Sequence, residues 1–303
     1  MKITTPILLL IFNRPSETFQ VFERIRAAQP TQLFIAADGP RKNKPGEVEL
    51  CAKTRSIADK VDWECEVKTL FREENLGCAK GVSTAIDWFF EHVEQGIILE
   101  DDCLPDLSFF TFCDELLNRY KNDKEIGAVC GFNNQLGISR TKYSYYFAQL
   151  FSSWGWATWA DRWTKYKELP EIPDETVLNH PAIFHWKPEI IDTFNGKIDS
   201  WAYRWQYAFR KNNFLSIYPD ISLIKNIGFA SENAAHTKQV FWWEKYVKYG
   251  KIETLKHPPT KQINKDADTL MLQLAVLLPI GWKDRIHYKW ISLKIVLTNT
   301  FTR

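Results

Sequence analysis

Three consecutive carboxylates, Glu100-Asp101-Asp102, follow directly on the apolar run Ile97-Ile98-Leu99. Adjacent carboxylates repel, so three in a row at the end of a buried strand call for a cation to offset them. Hard divalent cations such as Mn²⁺ or Mg²⁺ take oxygen ligands, commonly one or two carboxylates together with substrate phosphates. A cation held in that way bridges a protein to a diphosphate and neutralises charge on a leaving phosphate. The blander reading is a solvated acidic turn in which one acid caps the next helix, a task for which Asp106 is better placed.

The elements that must position these acids read as alternating strands and helices over the first 130 residues. Ile7 to Phe12 is a continuous apolar run, as in a strand buried on both faces of a parallel sheet. Ser16 is expected to cap a helix that turns Val21, Phe22 and Ile25 to one side. Leu33 to Ala37 is a second strand, stopped by the turn Asp38-Gly39-Pro40. A charged stretch, Arg41 to Lys60, reads as loop and surface helix, and Glu66 to Phe71 as a third strand. After Asn75-Leu76-Gly77-Cys78-Ala79-Lys80-Gly81 comes a helix with Val82, Ala85, Ile86, Phe89, Phe90 and Val93 on one face. Gly96 is expected to end it before the fourth strand. Such alternation predicts an α/β, Rossmann-like fold whose mostly parallel central sheet is flanked by helices. Ligands of these sheets bind beyond the carboxyl ends of the strands, where Asn13, Asp38, Gly77 and the acidic triplet all fall.

Composition narrows the function. The 303 residues carry 39 Lys and Arg against 37 Asp and Glu, a formal charge of +2 that gives no footprint for nucleic acid. The six cysteines include no Cys-x-x-Cys pair, which argues against zinc and reads as reduced packing thiols. The run Pro6 to Phe12 is too short for a signal peptide and is followed by Asn13-Arg14-Pro15 rather than small residues. No apolar stretch reaches the roughly 20 residues of a membrane span. A cytoplasmic protein is therefore expected. From about Gly131 the chain becomes aromatic, through Tyr143 to Phe147, Trp154 to Trp163 and a helix from near Ser200. With 13 Trp, it has the rings either to fill a core or to stack on sugars.

Ile97-Ile98-Leu99-Glu100-Asp101-Asp102 resembles the Glu-Asp-Asp form of the Asp-x-Asp motif of GT-A glycosyltransferases, most closely the N-acetylglucosaminyltransferase I type. Pro6 to Pro15 is similar to that family's first strand, which ends near the nucleotide base. Asp38-Gly39 resembles its acidic turn at base or ribose, Arg72 to Gly81 its Asn-x-Gly stretch beside the nucleoside, and Leu150 to Trp163 its aromatic acceptor-side segment. Asn-Arg-Pro and Asp-Gly are weak signals singly; their order and spacing with Glu-Asp-Asp are specific. The resemblance implies a GT-A fold and a nucleotide-diphosphate sugar donor touched by Asn13, Arg14, Asp38, Gly39, Arg72, Asn75, Gly77 and Lys80. It implies Asp102 as the direct ligand of Mn²⁺ or Mg²⁺, with Glu100 and Asp101 orienting the donor sugar or the metal's water shell. His236 is the candidate to complete that shell.

Inversion at the sugar carbon needs a base for the acceptor hydroxyl. Asp199, just before an aromatic helix, is the candidate, although Asp199 or Ser200 would equally cap that helix. Asp161 is a weaker rival. Trp154, Trp156, Trp159 and Trp201 are candidates for an acceptor floor, with core packing the alternative. The expected organisation is a nucleotide-sugar half over 1–130, an acceptor half of the same domain over 131–257, and a basic, apolar tail over 258–303. That tail, with Trp282, Lys283, Arg285, Tyr288, Lys289, Trp290 and Lys294, suits packing on its own domain or contact with an anionic membrane. The sum is an inverting, metal-dependent glycosyltransferase acting on a glycan or lipid-linked glycan, as in surface-polysaccharide synthesis. Two alternatives stay open. A nucleotidyltransferase would place a Gly-rich Arg/Lys loop after the first strand, where Asn13-Arg14-Pro15-Ser16 stands. A non-catalytic carbohydrate binder would have no use for the acidic triplet.

Overall fold

The computed structural model describes residues 3–229 and 243–276. An eight-stranded sheet organises the fold, in the order β3-β2-β1-β4-β8-β6-β9-β7. Its first half is built as alternation dictates. β1 (Ile7–Ile11), β2 (Gln32–Ala37), β3 (Glu66–Phe71) and β4 (Gln95–Glu100) lie parallel, joined through α1 (Pro15–Ala28), α2 (Glu47–Arg55) and α3 (Gly77–Phe90). A second, two-stranded sheet pairs β5 (Cys103–Pro105) with a strand far along the chain. It precedes α4 (Leu107–Tyr120), which Asp106 caps by accepting the Ser108 N–H at 2.9 Å, as expected.

The second half follows β6 (Ile126–Cys130) with β7 (Tyr145–Ala148), β8 (Trp156–Trp159) and the helices α5 (Ala160–Lys167), α6 (Glu175–Leu178), α7 (Lys187–Phe194) and α8 (Trp201–Lys211). Then come β9 (Leu215–Pro219), β10 (Ile224–Asn226) and α9 (Lys265–Val276). β10 is the antiparallel partner of β5. β8 inserts antiparallel between β4 and β6, so strands of both sequence halves share one sheet. Four ladders of the sheet are parallel and three antiparallel.

Burial explains the strand composition. All five β1 residues are buried because each face carries a helical layer. Leu9 and Ile11 pack with Val21, Phe22 and Ile25 of α1 and with Phe109 and Leu116 of α4. Leu8 and Leu10 pack on the other face with Ala85, Ile86 and Phe89 of α3 and Trp201, Trp205 and Phe209 of α8.

Two local expectations are revised, and a third is narrowed. The first helix starts at Pro15 with Arg14 as its cap residue, not at Ser16, because proline's fixed φ and missing N–H suit the first helical position. Gly96 does not stop α3, which has already ended at Phe90. It sits inside β4, where a Cβ would lie 2.2 Å from the Phe89 ring, so glycine is kept there for close helix–strand packing. The start of the expected C-terminal tail packs on the domain: Asn264 N–H donates to the Phe147 carbonyl at 2.8 Å, and the Gln149 N–H to Asp268 of α9 at 2.9 Å. Trp282 to Lys294 lie outside the described residues. No helix among the described residues is long and apolar enough to cross a membrane, and their six cysteines are all free thiols.

Candidate functional site

From β1 the chain runs to β2 and β3 on one side and returns to β4 on the other. The gap beyond the carboxyl ends of β1 and β4 is thus a topological switch point, where open α/β sheets leave a crevice. A cavity of about 370 Å³ lies there. Its wall includes Asn13 and Arg14 after β1, Asp38 after β2, Arg72 after β3, Asn75, Gly77 and Cys78 at the start of α3, Glu100 and Asp101 at the end of β4, and Asp199 before α8. Residues up to 186 positions apart in sequence therefore meet at one crevice, as the alternation of elements predicts for all but the last.

Among the described residues, Arg14 is the guanidinium in direct ion pairing with the acidic triplet, of which Glu100 and Asp101 line the crevice. Arg14 Nη1 lies 2.7 Å from Asp102 Oδ2 and 3.3 Å from Asp101 Oδ1, and these three side chains are only 12, 15 and 10 % exposed. The Phe12 N–H also donates to Asp101, at 3.3 Å. Among the described residues, three carboxylates stand against this one guanidinium, so acid is in excess there. Burial pushes Glu100 and Asp101 well above the usual carboxylate range, repulsion from Asp102 adds to it, and Arg14 offsets only part. Burial alone would lower the affinity of Arg14 for its proton, yet the adjoining acids leave it raised. Asp102 itself turns toward β10. The Ile227 N–H donates to its carbonyl at 2.8 Å, and a Cβ on Gly228 would fall 2.3 Å from its Oδ2. The β5–β10 pairing thus draws the chain leading to residue 230 against the last acid of the triplet.

The start of α3 is gripped by two carboxylates. Asp38 accepts the N–H groups of Leu76 at 2.9 Å and Gly77 at 3.1 Å, and Asp199 accepts those of Cys78 and Ala79 at 2.7 Å each. These are the orphan donors and positive dipole end of the helix, a natural seat for anions. Burial raises Asp38 above its ordinary range, against the lowering effect of those N–H bonds. Gly77 has φ +80°, and a Cβ there would sit 2.5 Å from Asp199 Oδ2, so only glycine admits this approach. Asp199 therefore caps α3, not its own helix α8, whose cap residue Ser200 makes no side-chain bond.

The other expected residues divide sharply. Arg72 lines the crevice, but its guanidinium donates to the Gly81 carbonyl and Thr84 hydroxyl of α3. Asn75 donates to the Gly39 carbonyl at 2.8 Å. Gly39 packs against the backbone of Glu73 and Glu74 and is outside the wall, while Lys80 is exposed on α3. Trp156, Trp159 and Trp201 are core, not a ligand floor: they are 0, 3 and 2 % exposed, and Trp156 stacks on Trp201 at 5.6 Å. The helix α8 needs that apolar face to cover the sheet. Trp154 is half-buried among Phe132, Trp243 and Phe229. Asp161 pairs with Lys124 and Arg162 away from the crevice wall. His236 lies outside the described residues.

Arg41 on the wall and Glu47 behind it carry no signal of a site in the sequence. Glu47 is 3 % exposed although it lies in the charged stretch read as surface. It accepts Asn13 Nδ2 at 2.9 Å and the Arg41 N–H at 2.8 Å, and it pairs with the Arg41 guanidinium, which holds its carboxyl below the usual range. Arg41 in turn lies over the Phe12 ring at 5.4 Å. No periodicity marks a buried charge in a polar stretch, so neither residue was separable from a solvated face.

No protein-family model matches the chain, and no curated protein matches it in sequence. Among solved structures it is similar to a cytidylyltransferase from Leptospira borgpetersenii serovar Hardjo-bovis (strain JB197), at 11% identity and a TM-score of 0.35, over 61% of this chain and 71% of that one. At that similarity no activity is carried across.

Proposed function

We propose that the crevice binds a nucleoside-diphosphate sugar with a divalent cation, and that the protein is an inverting glycosyltransferase of the GT-A type acting on a glycan or lipid-linked acceptor. The observation that carries this reading is the acidic triplet at the switch point of a Rossmann-like sheet: Glu100 and Asp101 on the crevice wall and Asp102 beside them, opposed among the described residues by Arg14. Among the described residues no three His, Cys, Asp or Glu side chains are grouped to hold an ion by themselves. That donor set fits a Mn²⁺ or Mg²⁺ ion that takes its remaining ligands from a diphosphate. Asp102 and Asp101 would hold it, and when bound it would supply charge neutralisation for the leaving nucleotide.

The chain's own groups would do the rest. Asn13, Phe12 and Arg41 form the nucleotide-base end of the crevice, beyond β1. Arg14, paired with Asp101 and Asp102 on this wall, is placed to meet a donor phosphate. Asp199 stands on the wall contributed by the acceptor half, fixed by two N–H bonds, and is our candidate to accept the proton of the attacking hydroxyl. Half-buried Trp154, beside the Asp102–Gly228 contact through Phe229, is the aromatic best placed to meet a sugar ring. The domain halves 1–130 and 131–257 then correspond to donor and acceptor walls of one site.

A transfer assay with a panel of nucleotide sugars and Mn²⁺ tests this. Asp199→Asn should keep donor affinity and lose transfer by roughly 10²–10⁴-fold, the usual worth of a general base. Normal turnover in that variant removes Asp199 from the chemistry. Release of pyrophosphate from a nucleoside triphosphate plus a sugar phosphate would make the protein a nucleotidyltransferase instead.

A further inference from the structure

Asn13 is 1 % exposed, and its Oδ1 is buried without a hydrogen-bond partner. A buried acceptor left unpaired is costly, so native sites retain one only where something supplies a donor. The amide could escape by rotating half a turn, were its environment symmetric. Glu47 forbids that. A carboxylate only accepts, so Glu47 Oε1 holds Asn13 Nδ2 at 2.9 Å and leaves Oδ1 on the opposite branch of the amide. Glu47 is fixed in turn by the Arg41 N–H, 2.8 Å from its Oε2, and by the Arg41 guanidinium. Asn13, Phe12 and Arg41 all line the crevice at the end of β1.

We infer that Glu47 is a specificity-determining positioning residue: it locks the Asn13 amide so that the base end of the crevice presents an acceptor. This rests on the nucleotide-binding reading above and adds the chemistry of the base. The edge that meets Asn13 must offer a donor: uracil, thymine and guanine bring a ring N–H, whereas cytosine and adenine carry a bare ring nitrogen and reach the same acceptor only through an exocyclic NH₂, one atom further out from the ring. Arg41, an all-donor cation on the same carboxylate, favours the carbonyl oxygen that flanks such an N–H. Glu47→Gln undoes the lock in a definite direction. The glutamine oxygen is drawn to the Arg41 donors, its NH₂ turns to Asn13, and the Asn13 amide rotates to put Nδ2 toward the ligand.

The experiment is calorimetric binding of UDP against CDP and of GDP against ADP, pairs matched in ring size, with Mn²⁺ present. The wild-type protein is expected to favour the N–H base of at least one pair by about tenfold or more, the worth of one hydrogen bond. Glu47→Gln should bring that ratio below about threefold or reverse it, and Asn13→Ala, which removes the acceptor but leaves Glu47 on Arg41, should level it. Those ratios are internal to each folded protein, so a merely structural role for Glu47 would weaken all four ligands together and leave them unchanged. Binding without an N–H preference, or a wild-type ratio kept in both variants, overturns the inference while the nucleotide reading stands. If none of the four nucleotides binds the wild-type protein, both fall.

Discussion

Replacing Arg14 by methionine keeps the aliphatic bulk and removes the guanidinium from Asp101 and Asp102, 3.3 and 2.7 Å away. Breaking a buried ion pair by deleting one partner costs about 3–5 kcal/mol, because the other charge is left uncompensated. The acids here are 10 and 15 % exposed, and protonation offers them a partial escape, so about 2–4 kcal/mol is expected near neutrality. In a chain of this size that is a fall in Tm of roughly 3–6 °C. The pH dependence fixes the cause. Glu100 and Asp101 bind protons more tightly in the folded protein than when unfolded. A raised folded pKa means stability that is present at low pH and lost as the pH rises through the folded value. Without Arg14 that loss deepens, so the deficit should be small at pH 5 and largest at pH 8. Mn²⁺ stabilises each protein that binds it, by about 2.7 kcal/mol at about 100 times its Kd, and the variant, with more uncompensated carboxylate charge, should gain more than the wild type, so the pH 8 gap narrows by the difference. Thermal melts of both proteins at pH 5 and 8, in chelator and in Mn²⁺, read all four conditions. An Arg14→Met protein that melts with the wild type at pH 8 in chelator, or whose deficit does not change with pH, would refute the charge argument.

Other perturbations follow from the same geometry. Gly77→Ala forces a side chain into φ +80° and onto Asp199; left-handed strain and the lost cap together should cost about 2–3 kcal/mol by urea melts. Asp268 of α9 is pushed up to about 6 from 3.8, first by burial and against the N–H groups of Gln149 and Leu150. The folded protein thus loses stability as the pH rises through about 6. Asp268→Asn should raise the urea midpoint at pH 7, by at most about 3 kcal/mol of stability, and leave it unchanged near pH 3.5.

The parallel half of the fold was legible because a strand buried on both faces must be an unbroken apolar run, as in Ile7 to Ile11 and Ile97 to Leu99. The convergence of Asn13, Asp38, Gly77 and the acidic triplet followed from strand ends alone. What stayed hidden were contacts that depend on distant segments. The Trp-rich stretch around β8 reads alike as core or as a ligand surface, and only the position of α8 over it decides for core. Asp199 reads in the sequence as a base or as the cap of its own helix; its service to α3, some 120 residues away, leaves no local trace. Glu47 looks like any other acid of a charged helix until Asn13 and Arg41 close around it.

The most direct measurement is calorimetric titration of nucleoside diphosphates into the wild-type protein and Asp102→Asn, each in chelator and in Mn²⁺. Wild-type affinity should rise at least about tenfold with Mn²⁺ for the preferred nucleotide, and Asp102→Asn should lose most of that gain. A nucleotide affinity indifferent to Mn²⁺, or a gain retained in full by Asp102→Asn, would contradict a cation shared between these acids and a diphosphate.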